Sequence, residues 1–372
     1  MEDLVTDDGG SRRILITGNM GYLGPRVVHH LRRAFPGAEL IGIDSGWFGS
    51  LLTDRNFLPE ALLDQQLFCD LRDFPDEALE DVDAVVHLAG ISNDPIGNRF
   101  ESVTIDINLK ATVELAKRAR RKGVTSFVFA SSCSVYGLAE TEPRTEQSEV
   151  NPLTAYARSK VQSEKELARL ATEGFRVTCL RFATACGWSE RLRLDLVLND
   201  FVASAVAGGK ILILSDGTPW RPLIDVNDMA RAIEWAIGRP RESGGDCLVV
   251  NVGADSANYT VRELAETVVA EIPDSSYEIA PDAQPDKRSY RTDFSLFRAL
   301  APDHQPRWSL RDSIRALHDG LKRIGYDIQD VRQSPYIRLR TLIALLESGL
   351  LSDDLRWTIG EPLYPGSSGR FD

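Results

Sequence analysis

The sequence predicts an α/β fold: a doubly wound parallel sheet with a smaller, interleaved α+β lobe. Three observations predict it. The first is the run Ile14-Leu15-Ile16-Thr17, which breaks into Gly18-Asn19-Met20-Gly21-Tyr22-Leu23-Gly24 and then turns helix-like. The second is an alternation of apolar runs (38–44, 66–70, 84–88, 126–130, 176–180) with helical patterns (25–35, 100–122, 155–174). Such alternation favours parallel strands joined by crossover helices. The third is a loosening after residue 181. Prolines, short strands (211–214, 247–252) and helices (194–207, 226–237, 260–272) follow there.

The opening turn carries chemistry. Gly18 permits a tight turn, Gly21 lets a backbone approach a pyrophosphate, and Gly24 lets a helix pack close to its strand. Met20, Tyr22 and Leu23 present the free N–H groups between them. The helix N-terminus then faces the phosphates with its positive dipole end. The next apolar run, Ile41-Gly42-Ile43, ends in Asp44, 20 residues after Gly24. A carboxylate at that distance accepts ribose hydroxyls. It also repels a 2′-phosphate, and no arginine adjoins it, so NAD is expected over NADP. The first domain, residues 12–180, is therefore read as a Rossmann NAD-binding domain.

Composition narrows the partners. The chain has 372 residues and a net charge of −12. That balance disfavours nucleic acid and anionic membrane surfaces. No run approaches the roughly 18 apolar residues of a membrane-spanning helix. Five cysteines and five histidines show no metal-ligand spacing, so no metal is expected. Reduced thiols and an acidic start point to a cytoplasmic protein. Residues 1–11 are expected to be a disordered tail. Residues 181–325 form mainly a substrate lobe, with parts of 215–255 returning to the first domain. Residues 326–372 read as a helical extension (334–348) and a frayed end. Wide apolar stripes on the two longest helices suggest a homodimer.

A second constellation lies at Tyr156-Ala157-Arg158-Ser159-Lys160. Residues at i and i+4 share a helix face. A neighbouring ammonium, together with a nicotinamide cation, favours the phenolate, so Lys160 and the bound cofactor are expected to bring the Tyr156 pKa toward working pH. Such a tyrosine takes a proton from a hydroxyl. Upstream, Ser131-Ser132-Cys133-Ser134-Val135-Tyr136-Gly137 follows an apolar run. Hydroxyls at a strand's carboxyl end sit at the ligand crevice of an open sheet.

These motifs resemble the extended short-chain dehydrogenase/reductases of the nucleotide-sugar epimerase/dehydratase type over roughly residues 12–325. The resemblance rests on the glycine turn, Asp44, Cys69-Asp70-Leu71, His87-Leu88-Ala89-Gly90, Asn108, Ser131-Ser132 with Val135-Tyr136-Gly137, and Tyr156 with Lys160. It implies that Asp70 and Leu71 contact adenine, and that Leu88, Ala89, Gly90 and Asn108 line the cofactor. It gives Ser132, Tyr156 and Lys160 the catalytic roles. Trp220-Arg221-Pro222-Leu223-Ile224 resembles the segment whose arginine grips a nucleotide-sugar diphosphate, so Arg221 is a candidate clamp and Arg288 a second. The loop Ser92, Asn93 and Asp94 is expected at the sugar, as are Cys133 and Ser134. Cys133 and Ser134 replace the Asp-Glu pair of the dehydratases, which disfavours dehydration.

The expected partner is a nucleotide-diphosphate sugar, and the expected reaction is epimerisation at C4 through a transient 4-keto sugar. A 4-keto-sugar reductase, a C3/C5 epimerase using the Cys133 thiol, and a non-catalytic dinucleotide-binding regulator remain open alternatives.

Overall fold

The computed structural model describes residues 12–53, 57–92, 94–138, 142–281, 283 and 289–358. The expected tail 1–11 and residues 359–372 lie outside the described residues, as do Asn93 and Arg288.

The first six strands follow the apolar runs: β1 (Arg13–Thr17), β2 (Glu39–Asp44), β3 (Gln65–Phe68), β4 (Ala84–His87), β5 (Ser126–Ser132) and β6 (Arg176–Phe182). Then come β7 (Thr184–Cys186), β8 (Lys210–Ile213), β9 (Trp220–Asp225), β10 (Cys247–Val252), β11 (Asn258–Thr260) and β12 (Ser276–Ile279). Seven strands form one parallel sheet in the order β10-β6-β5-β4-β1-β2-β3. Every residue of β4, Ala-Val-Val-His, is buried, as a strand covered on both faces requires. The strand order reverses between β1 and β4. A crevice opens outside their carboxyl ends.

The described helices are α1 (Gly24–Ala34), α2 (Asp94–Arg99), α3 (Glu101–Ile105), α4 (Thr112–Arg121), α5 (Ala155–Leu170), α6 (Val197–Gly208), α7 (Val226–Gly238), α8 (Val261–Glu271), α9 (Ser295–Leu300), α10 (Leu310–Arg323) and α11 (Arg338–Glu347). The pattern at 100–122 is not one uniform helix. A π-helical turn, Asp106–Ala111, joins α3 to α4. Such turns often mark functional positions, and this one contains Asn108. Although α10 lies where the sequence reading placed no helix, Ser309 and Asp312 form its capping box.

Two small sheets, β11-β9-β7 and β12-β8, build the second lobe. The chain returns from it to the large sheet. β10 pairs with β6 along six residues, and α7 packs against α1.

A buried polar network fastens β5, β6, β10 and α5 just below the crevice. Glu164 on α5 pairs with Arg181 on β6 at 2.7 Å and accepts from Ser131 Oγ at 2.5 Å. Arg181 also donates to Tyr136 Oη at 3.0 Å, and Tyr136 donates to Asn251 Oδ1 at 2.7 Å. Removing one partner of a buried pair leaves the other charge desolvated and unmatched. Glu164→Gln is expected to cost about 3–5 kcal/mol, read as a lowered urea midpoint with an unchanged denaturant slope.

Candidate active site

The glycine turn is built by close approach. Gly18 has φ +75°, and a Cβ there would meet Ala89 N at 2.5 Å. A Cβ at Gly24 would meet Asn19 O at 2.0 Å. Both positions exclude side chains, so the loop lies flat across the ends of β1 and β4. Pro25 lies in the first turn of α1, whose N-terminus adjoins the crevice. Asp44, at the end of β2, accepts Met20 N at 3.0 Å and Gly46 N at 2.8 Å. Burial raises its pKa, and those two N–H groups oppose the rise.

One cleft of about 730 Å³ runs from this loop to the second lobe. Gly18, Gly21, Tyr22, Leu23 and Asp44 line one end, with Asp70, Leu71, Leu88 and Gly90 beside them. Ser92, Asp94, Ser132, Ser134, Tyr156, Lys160 and Arg221 line the rest. The structure thus brings both sequence constellations to one cavity. Met20, Gly24, Ala89 and Asn108 stand behind the wall rather than on it. Met20 lines a neighbouring cavity of about 330 Å³. Asn108 works from below. Its amide accepts from Ile91 N at 2.8 Å and donates to Ile91 O at 2.9 Å, which pins the loop after β4. Asp70 is already held by Arg72, whose backbone and side chain both donate to it.

Tyr156 and Lys160 lie in the first turns of α5, which Thr154 caps through Ala157 N at 3.2 Å. Tyr156 and Ser132 line the same stretch of the cleft, and the Ser132 hydroxyl acts to lower the Tyr156 pKa. The Lys160 ammonium donates to Ala130 O at 2.7 Å and sits 5.6 Å from the Tyr156 ring centre. Burial pushes the lysine down to about 8. His87, under the same floor, is pressed down to about 3 by burial and by Lys160, and bridges Thr17 and Thr112 as a neutral ring.

One expectation, for Cys133, needs correction, and another, for Tyr156, depends on the bound cofactor. Burial pushes the Tyr156 phenol up to about 12, and the Ser132 hydroxyl only partly opposes this. Without a nicotinamide cation, desolvation outweighs the opposing Ser132 hydroxyl and Arg193 charge, so the phenol rests protonated. Cys133 does not face the cleft. A short 3₁₀ turn, Cys133–Tyr136, swings its side chain into the core. There the thiol is fully buried, donates to Arg181 O at 3.1 Å and is pushed up to about 12 by burial. That removes the thiol route to C3/C5 exchange.

Sequence reasoning missed Arg193. Its guanidinium donates to Ser92 Oγ at 3.0 Å and to Asp195 at 2.9 Å, and its charge lowers the Tyr156 pKa. The alternation Arg191-Leu192-Arg193-Leu194-Asp195 was the available signal, since charges between buried leucines must themselves be accommodated inside.

Comparison with known proteins gives the family. The model of the NAD dependent epimerase/dehydratase family matches residues 14–253. The chain belongs to that family. A UDP-glucose 4-epimerase of Azospirillum brasilense is 29% identical over 300 residues, spanning 74% of this chain and 83% of the relative. Among solved structures, MoeE5 with UDP-glucuronic acid and NAD superposes with a TM-score of 0.70 at 24% identity, covering 84% of this chain and 99% of that one. A UDP-glucose-4-epimerase from Stenotrophomonas maltophila with bound NAD and formylated UDP-arabinopyranose gives 0.71 at 22% identity, with 84% and 99% coverage.

Among the described residues, no group of three or more His, Cys, Asp or Glu is placed to hold a metal. No helix there is long and apolar enough to cross a membrane.

The lowered lysine has a measurable consequence. Between about pH 8 and 10.5 the unfolded state holds this proton more tightly than the folded state. The Lys160 contribution to stability therefore rises with pH across that window. Relative to wild type, Lys160→Met is expected to lose on the order of 1 kcal/mol of that rise between pH 8 and 9.5, measured by urea unfolding at the two pH values.

Proposed function

We propose that this chain is an NAD-dependent nucleotide-sugar epimerase that inverts C4 through a transient 4-keto sugar. One observation carries the reading. Tyr156 and Ser132, backed by Lys160, line the same cleft as the Gly18 turn and Asp44. The cradle at Gly18, which a Cβ would fill, fits a dinucleotide pyrophosphate. Asp44 fits the adenosine ribose, and Asp70 with Leu71 fits the adenine edge.

NAD held there would supply the hydride acceptor and donor for the sugar carbon. The protein supplies everything else. With the charge of a nicotinamide cation added to that of Lys160, Tyr156 would stand as the phenolate, and its Oη would then take the C4 hydroxyl proton and later give it back. Ser132 donates to the same sugar oxygen. Lys160 stabilises the phenolate, whose charge is otherwise costly in this buried setting. Arg221, on β9, grips a diphosphate oxygen from the second lobe, while Ser92 and Asp94 face the sugar. Neither residue after Ser132 can act as a carboxylic acid. Cys133 is in the core and Ser134 bears a hydroxyl, so the site lacks the acid that dehydration needs there.

A homodimer and a reducing, cytoplasmic setting belong to the same reading. All five cysteines are free thiols.

The test is turnover of a nucleotide-sugar panel that includes UDP-glucose, followed by NMR of the products. Epimer formation without lasting change in reduced-nicotinamide absorbance supports the proposal. Net oxidation of NADH would overturn it in favour of a ketoreductase. Tyr156→Phe is expected to lower kcat roughly 10²- to 10⁴-fold while NAD remains bound.

A further inference from the structure

The segment after α10 does not hang free of the cleft. It crosses the cofactor end and is fastened on both sides. Leu342, Leu351 and Leu355 pack into one apolar cluster with Ile91, Ile96, Val103 and Ile107. Trp357 Nε1 donates to Ser45 O at 2.6 Å, next to Asp44. Arg72 Nη1 donates to Asp354 O at 2.8 Å, and Arg356 pairs with Asp73. The strap itself lies beyond residue 253, where the family model stops.

This strap carries a cation into the cleft. Arg338, the first residue of α11, lines the cavity and is only 2% exposed. Its guanidinium carbon stacks 4.1 Å above the Phe48 ring centre, and Phe48 lines the same cavity. One arm is used: Nη2 donates to Arg191 O at 2.9 Å. The other, Nη1, is buried with no hydrogen-bond partner among the described residues. The carboxylates whose charge acts on it, Asp44 and Asp195, have partners of their own. Asp44 accepts two backbone N–H groups, and Asp195 is bridged by Arg193. Arg191 and Arg193 add positive charge around it. A buried, half-satisfied guanidinium among other cations is costly unless an anion joins it. The cleft is where an anion enters.

We infer that Arg338 is a cofactor-binding residue, with Nη1 donating to a phosphate oxygen of the dinucleotide. This rests on the cofactor site proposed above. A charge-assisted bond to phosphate fits a guanidinium with one arm anchored and one open. The strap then does two things at once. It covers the adenosine end, and it contributes a contact that the glycine loop does not provide.

Full-length wild type, Arg338→Gln, Arg338→Lys and Trp357→Phe are compared by isothermal titration with NAD, NADP, ADP-ribose and adenosine. Arg338→Gln is expected to weaken NAD and ADP-ribose roughly ten- to a hundredfold and to leave adenosine unchanged. Arg338→Lys recovers part of the loss. Trp357→Phe, which loosens the strap but keeps the cation, preserves the preference for ADP-ribose over adenosine. A larger loss for NADP than for NAD assigns the contact to a 2′-phosphate, and equal losses assign it to the pyrophosphate. Wild-type affinity for ADP-ribose in Arg338→Gln overturns the inference, as does an equal loss for adenosine. Failure of the wild type to bind NAD would instead remove the cofactor site itself. Circular dichroism melts of each variant separate misfolding from lost contact.

Discussion

The molecule depends on the reversal of strand order between β1 and β4. Connections from these neighbours run to opposite sides of the sheet, so no loop fills the gap outside their carboxyl ends. The gap survives only because backbone meets backbone there without side chains. Gly18 lies against Ala89, and Gly24 against Asn19, at distances that no Cβ could share. Everything chemical in the chain is arranged around that opening. Asp44 reaches it from β2, Ser132 from β5 and Tyr156 from α5. The second lobe brings Arg221, and a segment more than three hundred residues downstream of the first strand brings Arg338.

Desolvation is the second theme. Lys160, Tyr156, His87 and Asp44 are all shifted first by burial, each toward its neutral form. The site resists charge until a ligand supplies a matching one. Lys160 sits over the Phe129 ring at 4.5 Å and is tied to a carbonyl. Its ammonium is therefore poised to respond to a negative oxygen rather than neutralised by a carboxylate. Glu164, one turn further along α5, does not bond to it. That carboxylate is committed to Arg181 and Ser131. The network keeps β5, β6 and α5 in register while leaving the lysine available.

Local physics explains which features were readable in the one-dimensional pattern. Glycine spacing, an acid at the end of a strand, and a Tyr/Lys pair one helical turn apart are short-range. Their geometry follows from backbone dihedrals and helix periodicity alone. Capping chemistry is also local, and the Ser309–Asp312 box could have revealed α10. The side-chain direction of Cys133 is different. It depends on a 3₁₀ turn at the end of β5 and on the core packed around that turn, so Ser132 and Ser134 line the cleft while Cys133 between them does not. The protonation of Tyr156 is likewise set by how much protein surrounds it, a quantity no spacing encodes.

The amino-acid order by itself determined the sheet, the dinucleotide loop and the identity of the chemical groups, because each is dictated by contacts within a turn or two of chain. Only the tertiary structure decided which of those groups share a cavity, which way Cys133 points, and that Arg193 and Arg338 belong at the cleft. Those outcomes come from packing between elements far apart in the chain. The order of residues specifies such packing collectively, and no single motif announces it.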